Sequence, residues 1–274
     1  MCLTLTSSSH AGYSYSGPTA AWAYRCLDLS KAKRVFLLGP NHQNYHLNGL
    51  AISSHEFYAT PLGDLRVDLE TIKELHSQNV TQDSAKYEFS TIPKHHDEKE
   101  HSLEMHLPYI YKMMSRTFDS PKDFPPLIPI MVGSINGTKE RVYGKMLAPY
   151  LKDPTSVFIV SSDFCHWGGH FQYFYYMPGT ADEGYELSRY NDPAPKDPPI
   201  HESIGRLDKM GMDAVEKGNH RDFLDYLAKT QNTICGRHPI GVVMAALECL
   251  RENDVQASKA VSYTHLTLPT KRIV

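Results

Sequence analysis

Three histidines stand where an imidazole can do chemistry. His10 lies in "SSSHAGYSYSG", His42 follows "VFLLGPN", and His166 lies in "SSDFCHWG" behind "SVFIV". Short apolar runs closed by Gly, Pro or a polar loop read as buried strands, so His42 and His166 each follow a strand end. In open α/β sheets, ligands bind beyond the carboxyl ends of the strands. Loops at those ends bring imidazoles into one crevice, where a ring near its ordinary pKa ligates metal or moves a proton. Gly12, Gly39 and Gly168 stand nearby and are expected to let the backbone turn sharply. A single loop histidine is usually only hydrogen-bonded or solvated; the argument for a shared site is the repeated pattern.

A lone cysteine poses a related question. Cys235 sits in "NTICGRHPIG", with Arg237 and His238 just behind and Pro239 opening the apolar run "IGVVMAALECL". The residues alone read Cys235 as an inert thiol packed beneath a helix.

The elements that must carry these groups alternate between strand and helix. "KRVFLLGPNH", "LNGLAISS", "PPLIPIMVGS" and "TSVFIVSSDF" read as strands. "VDLETIKELHSQ", "TKERVYGKMLAPYLKD" (Thr138 as a cap), "IHESIGRLDKMGMDAVEKGN", "HRDFLDYLAKT" and "HPIGVVMAALECLREN" read as helices, the last with Pro239 in its first turn. "EHSLEMHLPYIYKMM" also reads as helix, with Pro108 kinking it or opening a new first turn. The alternation predicts an α/β fold, one domain with a mostly parallel or mixed central sheet flanked by helices.

Composition narrows the function classes. The 274 residues carry a formal charge of −3 and no basic run, which argues against a nucleic-acid groove or an anionic membrane surface. No apolar run is long enough to span a bilayer, and the start "MCLTLTSSSHAG" is a poor signal peptide. The five cysteines are scattered and form no CxxC pair, which fits a reducing compartment; a cytoplasmic or nuclear location is expected.

The motifs "HAGYSYSG", "FLLGPNH", "EHSLEMHLPY", "VSSDFCHWG", "LDKMGM" and "NTICGRHPIGV" occur in order. Together they resemble the Memo family (mediator of ErbB2-driven motility), whose fold is that of the class III extradiol dioxygenases of the LigB type. The resemblance runs from about His10 to about Tyr263. It implies a pocket at the strand ends lined by His10, His42 and Cys235 as metal ligands, with Asp163 and His166 nearby. In the dioxygenase relatives two histidines and a glutamate hold Fe(II), and another histidine is the acid–base catalyst. Cys235 thus stands where those enzymes place a carboxylate. The N-terminus of the following helix and Arg237 are expected to lower its pKa toward the metal-binding thiolate.

Two imidazoles and a thiolate suit Fe(II) or Cu(I), and zinc also accepts the set. The expected activity is a metal-dependent redox protein, dioxygenase-like, or a metal handler linked to signalling and cell motility. His166 would act as general base or polarise bound oxygen, with Asp163 orienting it or adding charge. The alternative is a non-catalytic adaptor that binds phosphotyrosine peptides in the same pocket, with Arg237 as a phosphate partner. All three of His101, Glu104 and His106 on one metal is not expected, because His106 points away from Glu104 on a regular helix; the resemblance implies that they lie at the pocket as orienting partners of the ligands, or cap the helix. His238 and Tyr15 complete the expected pocket lining.

The domain is expected to cover residues 1–263, with residues 177–199, rich in Pro, Asp and Gly, as a surface insertion. The N-terminus is expected to be truncated relative to the family, with "CLTLT" supplying the strand before His10. Each large apolar side chain left uncovered by a missing segment would forfeit roughly 1.5–3 kcal/mol. Residues 264–274 are expected to be a non-native or disordered tail.

Overall fold

Apolar, β-rich runs and amphipathic helices alternate along the chain, and the sheet they build sets the geometry of everything else. The structure, a computed structural model, describes residues 3–8, 10–43, 46–179, 183–188, 195–253 and 262–264. In chain order the elements are β1 (Leu3–Ser8), α1 (Tyr13–Arg25), β2 (Arg34–Pro40), β3 (Leu50–Ile52), β4 (Phe57–Thr60), β5 (Gly63–Arg66), α2 (Leu69–Ser77), β6 (Asn79–Gln82) and β7 (Ala85–Thr91). Then come α3 (Lys94–Asp97), α4 (His101–Glu104), α5 (Leu107–Thr117), β8 (Leu127–Val132), α6 (Gly137–Lys152), β9 (Ser156–Ser161), β10 (Tyr175–Tyr176) and β11 (Tyr185–Glu186). The chain closes with α7 (Ile200–Lys217), α8 (His220–Thr230), α9 (Arg237–Asn253) and β12 (Ser262–Thr264).

Among the described residues the main sheet runs β12-β1-β9-β2-β8-β3-β7-β6. The pairs from β12 through β8 are parallel, β8–β3 and β7–β6 are antiparallel, and β3–β7 is parallel. The sheet is therefore mixed with a parallel centre, in a single α/β domain. Its central strands read as continuous apolar runs because both faces are covered. In β2, Phe36 and Leu38 enter a core with Phe158, Val160 and residues of α6 and α9. Val35 and Leu37 point the other way, toward Tyr24, Leu103, Leu107 and Ile110. Successive side chains alternate across the pleat, so one strand feeds both cores.

Several local expectations change. The cap of α6 is Asn136, whose side chain accepts from the Lys139 N–H, rather than Thr138 inside the first turn. "HAGYSYSG" leads directly into helix α1, and two hairpins, β4–β5 and β6–β7, occupy stretches that sequence periodicity left unassigned. Pro108 opens α5 after the short α4, so the "EHSLEMHLPY" stretch is two helices. Thr264 belongs to β12, which pairs with β1; residues 265–274 lie outside the described residues. Within 177–199, β11, which pairs with β10, is exposed at Tyr185, while Met177 and Leu187 are buried; residues 180–182 and 189–194 lie outside the described set.

Candidate metal centre

The sheet order explains why distant residues meet. Strands β1, β9 and β2 are adjacent and parallel, so their carboxyl ends share one edge. His10 comes two residues after β1, Asp163 two after β9 and His42 two after β2. Parallel neighbours separated by about 4.8 Å deliver three loops to one place. The fourth arm is the turn before α9. There the Cys235 N–H donates to the Asp163 carbonyl at 3.2 Å, and the Asp163 N–H donates to Cys235 Sγ at 3.1 Å. Gly236 permits this approach, because a Cβ there would lie 2.3 Å from Ser162 Cβ. Gly39 serves contact too: its Cβ would meet Ser102 Oγ at 2.6 Å, so it admits α4 and does not make the expected turn. Gly12 also lacks the unusual backbone expected of it, with φ −51°; only Gly168 of the three, at φ +104°, needs glycine's freedom.

His10, His42 and Cys235 each place a ligand atom within 4.8 Å of the others. Cys235 Sγ and His10 Nε2 are 3.1 Å apart. Bonds of about 2.1 Å to nitrogen and 2.3 Å to sulfur at a right angle would put those atoms ~3.1 Å apart, so the spacing fits two ligands of one ion. The His10 and His42 ring centroids are 5.0 Å apart.

Each ring is aimed by its Nδ1. His42 Nδ1–H donates to Glu100 Oε1 at 2.9 Å, and its backbone N–H donates to Glu100 Oε2 at 2.7 Å. A carboxylate accepts only, so Nε2 of His42 holds the lone pair. His166 Nδ1–H donates to the Thr233 carbonyl at 2.9 Å, which leaves its Nε2 as a base. His10 Nδ1 pairs with Ser161 Oγ at 2.6 Å. Asp163 Oδ1 accepts the backbone N–H groups of His10 and Ala11, while Oδ2 lies 3.7 Å from His10 Nε2 and 4.0 Å from His166 Nε2. This is the pattern of outer partners that fix ligand tautomer and orientation.

The electrostatics suit neutral donors. Burial lowers the His10 pKa to about 4, and His42 and His101 act the same way against Asp163 and Glu100. His101 is lowered chiefly by burial and then by His42. Burial would raise Glu100, but its bonds from His42 and the Ser102 N–H outweigh that and hold it at about 2. Cys235 overturns the expectation of a depressed thiol. Burial pushes it up, and the Asp163 carboxylate adds to the shift against the backbone bonds from Asp163 and Gly236. The enclosed position outweighs the helix N-terminus, and Arg237 turns its Nη1 to the Ile234 carbonyl.

The remaining expected pocket residues scatter. The His101 ring lies beside both His42, at 4.4 Å, and His10, at 5.4 Å, so it joins the cluster. His42, Glu100 and His101 form a second group of close donors sharing His42. Glu104 is exposed, and His106 is buried with Nδ1 on Tyr24 Oη at 2.6 Å. His238 Nδ1 pairs with Glu140 Oε1 at 2.7 Å, in a separate network. Tyr15 is 59% exposed on α1. Sequence reading missed Glu100, Ser161 and Thr233. Glu100 carried a signal, as an acid one residue before "HSLEMH", but nothing in the spacing distinguished it from Glu98 or Glu104.

The likeness to known proteins agrees with this arrangement. The family model "Memo-like protein" matches residues 6–274. Protein MEMO1 of Homo sapiens is 42% identical over 249 residues, covering 91% of this chain and 74% of its own. Protein MEMO1 of Danio rerio is 42% identical over 246 residues, covering 90% and 73%. Protein memo-1 homolog of Caenorhabditis elegans is 40% identical over 260 residues, covering 94% and 65%. With a match that spans both the strand-end histidines and the Cys235 turn, this chain belongs to the Memo family.

Proposed function

We propose that this Memo-family chain binds a transition metal through His10, His42 and Cys235 and acts as a metal-dependent redox protein or metal handler linked to signalling and cell motility. The observation that supports it best is the convergence of three ligand atoms within 4.8 Å, with the two imidazoles held by Ser161 and Glu100. Fe(II) and Cu(I) both suit imidazole–thiolate donors, and zinc accepts them as well. A bound cation would offset the burial that raises the Cys235 thiol, and metal binding would then release its proton. The metal would supply a Lewis-acidic or one-electron redox centre.

The chain's own groups divide the remaining work. Glu100 keeps His42 in the tautomer whose Nε2 is a lone pair. Asp163 ties the His10 loop to the Cys235 turn through Oδ1 and its backbone. His166, with Nδ1–H fixed on the Thr233 carbonyl, presents Nε2 as a proton acceptor for a substrate hydroxyl. The phosphopeptide reading gains nothing from Arg237, whose Nη1 caps the Ile234 carbonyl.

Elemental analysis of protein purified without added metal, thiols kept reduced, tests the reading beside a Cys235→Ala control. Metal in the wild type that is lost from the variant is expected. Equal metal in both overturns the ligand assignment. Oxygen uptake with a catechol, abolished by His166→Ala, tests the dioxygenase-like form; iron-replete protein inert toward diphenols excludes it.

A further inference from the structure

The bonds to Glu100 explain His42 but not His101. His101 opens α4 one residue after Glu100, and its side chain is 49% exposed. Its Nδ1 lies 3.6 Å from Glu100 Oε1, which is too long for a hydrogen bond. Nδ1 of His42 lies 2.9 Å from the same oxygen. The two rings are 4.4 Å apart between centroids. His42, Glu100 and His101 thus offer ligand atoms that all lie within 4.8 Å of one another.

These spacings fit three ligands of one ion. With bonds of about 2.1 Å, a separation of 2.9 Å spans an angle of about 90° at the ion and 3.6 Å spans about 120°. The donors are two imidazoles and a carboxylate. Without sulfur the set suits a divalent ion such as zinc better than soft Cu(I). Access differs as well. The His42 side chain is 29% exposed, whereas that of His10 is 2% exposed. Glu100 is buried and already fixed by the Ser102 N–H, so its oxygen needs no ordering to bind.

The two groups of donors share His42 but use opposite sides of its ring. Nδ1 faces Glu100, and Nε2 is left for the ion that His10 and Cys235 would hold. A cation can take the place of the proton between Nδ1 and Oε1. The N–H bond breaks, a bond from Nδ1 to the ion forms, and the proton passes to water. The ring is then an imidazolate with a lone pair on each nitrogen.

We propose that His42, Glu100 and His101 form an outer site for a second divalent cation of the zinc class, and that the His42 ring bridges it to the ion held by His10, His42 and Cys235. The bridge rests on the metal reading above; the outer site does not.

The test dialyses metal-free protein, thiols kept reduced, against a slight excess of zinc and counts the metal by elemental analysis. Two equivalents per chain are expected, falling to one in His101→Ala and to one in Cys235→Ala. Two equivalents retained by His101→Ala overturn the outer site. One equivalent in the wild type, lost in Cys235→Ala and kept in His101→Ala, also overturns it and leaves the inner reading standing. Two equivalents retained by Cys235→Ala but not by His101→Ala overturn Cys235 as a ligand, while the outer site stands. Cobalt(II) titration of the wild type decides without a variant. Ligand-field bands are expected to grow to two equivalents, the thiolate-to-cobalt band to correspond to one, and the two ions to be antiferromagnetically coupled. Saturation of all bands at one equivalent overturns the outer site, and two magnetic moments that simply add overturn the bridge.

Discussion

Glu100 and Glu140 are both buried carboxylates that take hydrogen bonds from histidine rings, yet they serve opposite ends. Glu100 holds one ring, taking both Nδ1–H and backbone N–H of His42 beside the Ser102 N–H and leaving Nε2 turned to the cluster. Glu140, at the start of α6, divides itself between two. Oε2 accepts from His220 Nε2 at 2.6 Å and Oε1 from His238 Nδ1 at 2.7 Å, which ties α6 to α8 and α9. Gly241 packs against it so closely that a Cβ would lie 2.4 Å from Oε2. Burial would raise Glu140, but those two bonds hold it below the ordinary carboxylate value. The same residue types thus orient a candidate ligand ring or clasp helices together. What decides is whether a ring nitrogen is left facing other donors.

The comparison breaks most sharply at the ligands. Cys235→Ala is expected to abolish metal retention while lowering the unfolding midpoint of metal-free protein less than Glu140→Ala does, measured by elemental analysis and denaturant titration. Glu140→Ala is expected to do the reverse. It strands the buried His220 imidazole and the partly exposed His238 ring and costs about 3–5 kcal/mol of stability by urea denaturation, while metal is retained by the folded fraction. If Glu140→Ala lost metal without losing stability, the two networks would not be separate.

A third buried carboxylate sharpens the point. Asp208 is pushed up to about 7 by burial, against bonds from the Asn232 amide and the Cys165 N–H. Its two bonds do not offset the burial as the three bonds to Glu100 do. A folded pKa above the ordinary 3.8 means that the unfolded chain gives up this proton first. The contribution is full below about pH 4 and is lost as pH rises to about 7, a decline of roughly 2–4 kcal/mol. Denaturant titrations across that window should show the slope in wild type and its loss in Asp208→Asn. Smallest is Glu100→Gln, expected to weaken metal binding about 10–100-fold through His42 orientation, read by competition with a chelator. An affinity unchanged by this substitution would make Glu100 a packing residue only.

Much of the fold was legible because its signals are local. The runs at Val35–Leu38 and Val157–Val160 are apolar on both faces, as a central parallel strand requires, and Pro108 and Pro239 marked helix starts. The hairpins β4–β5 and β6–β7 were not, since their alternation is weak and their faces are partly exposed. His10, His42 and Cys235 were legible as candidates from their loops and from the family resemblance. Glu100, Ser161 and Thr233 were not, because an orienting partner is defined by an angle to another side chain, and sequence carries no angle.

Residue order by itself determined an α/β domain, the strand ends that bear His42, Asp163 and His166, and the glycine and proline positions between them. Tertiary structure decided that β9 lies between β1 and β2, so the loops after those three strands open side by side. It also raised the Cys235 thiol where the local helix and arginine promised to lower it. It paired His238 with Glu140 and His106 with Tyr24. Local propensity acts over a few residues, but burial and the choice of hydrogen-bond partner depend on every element packed around a group.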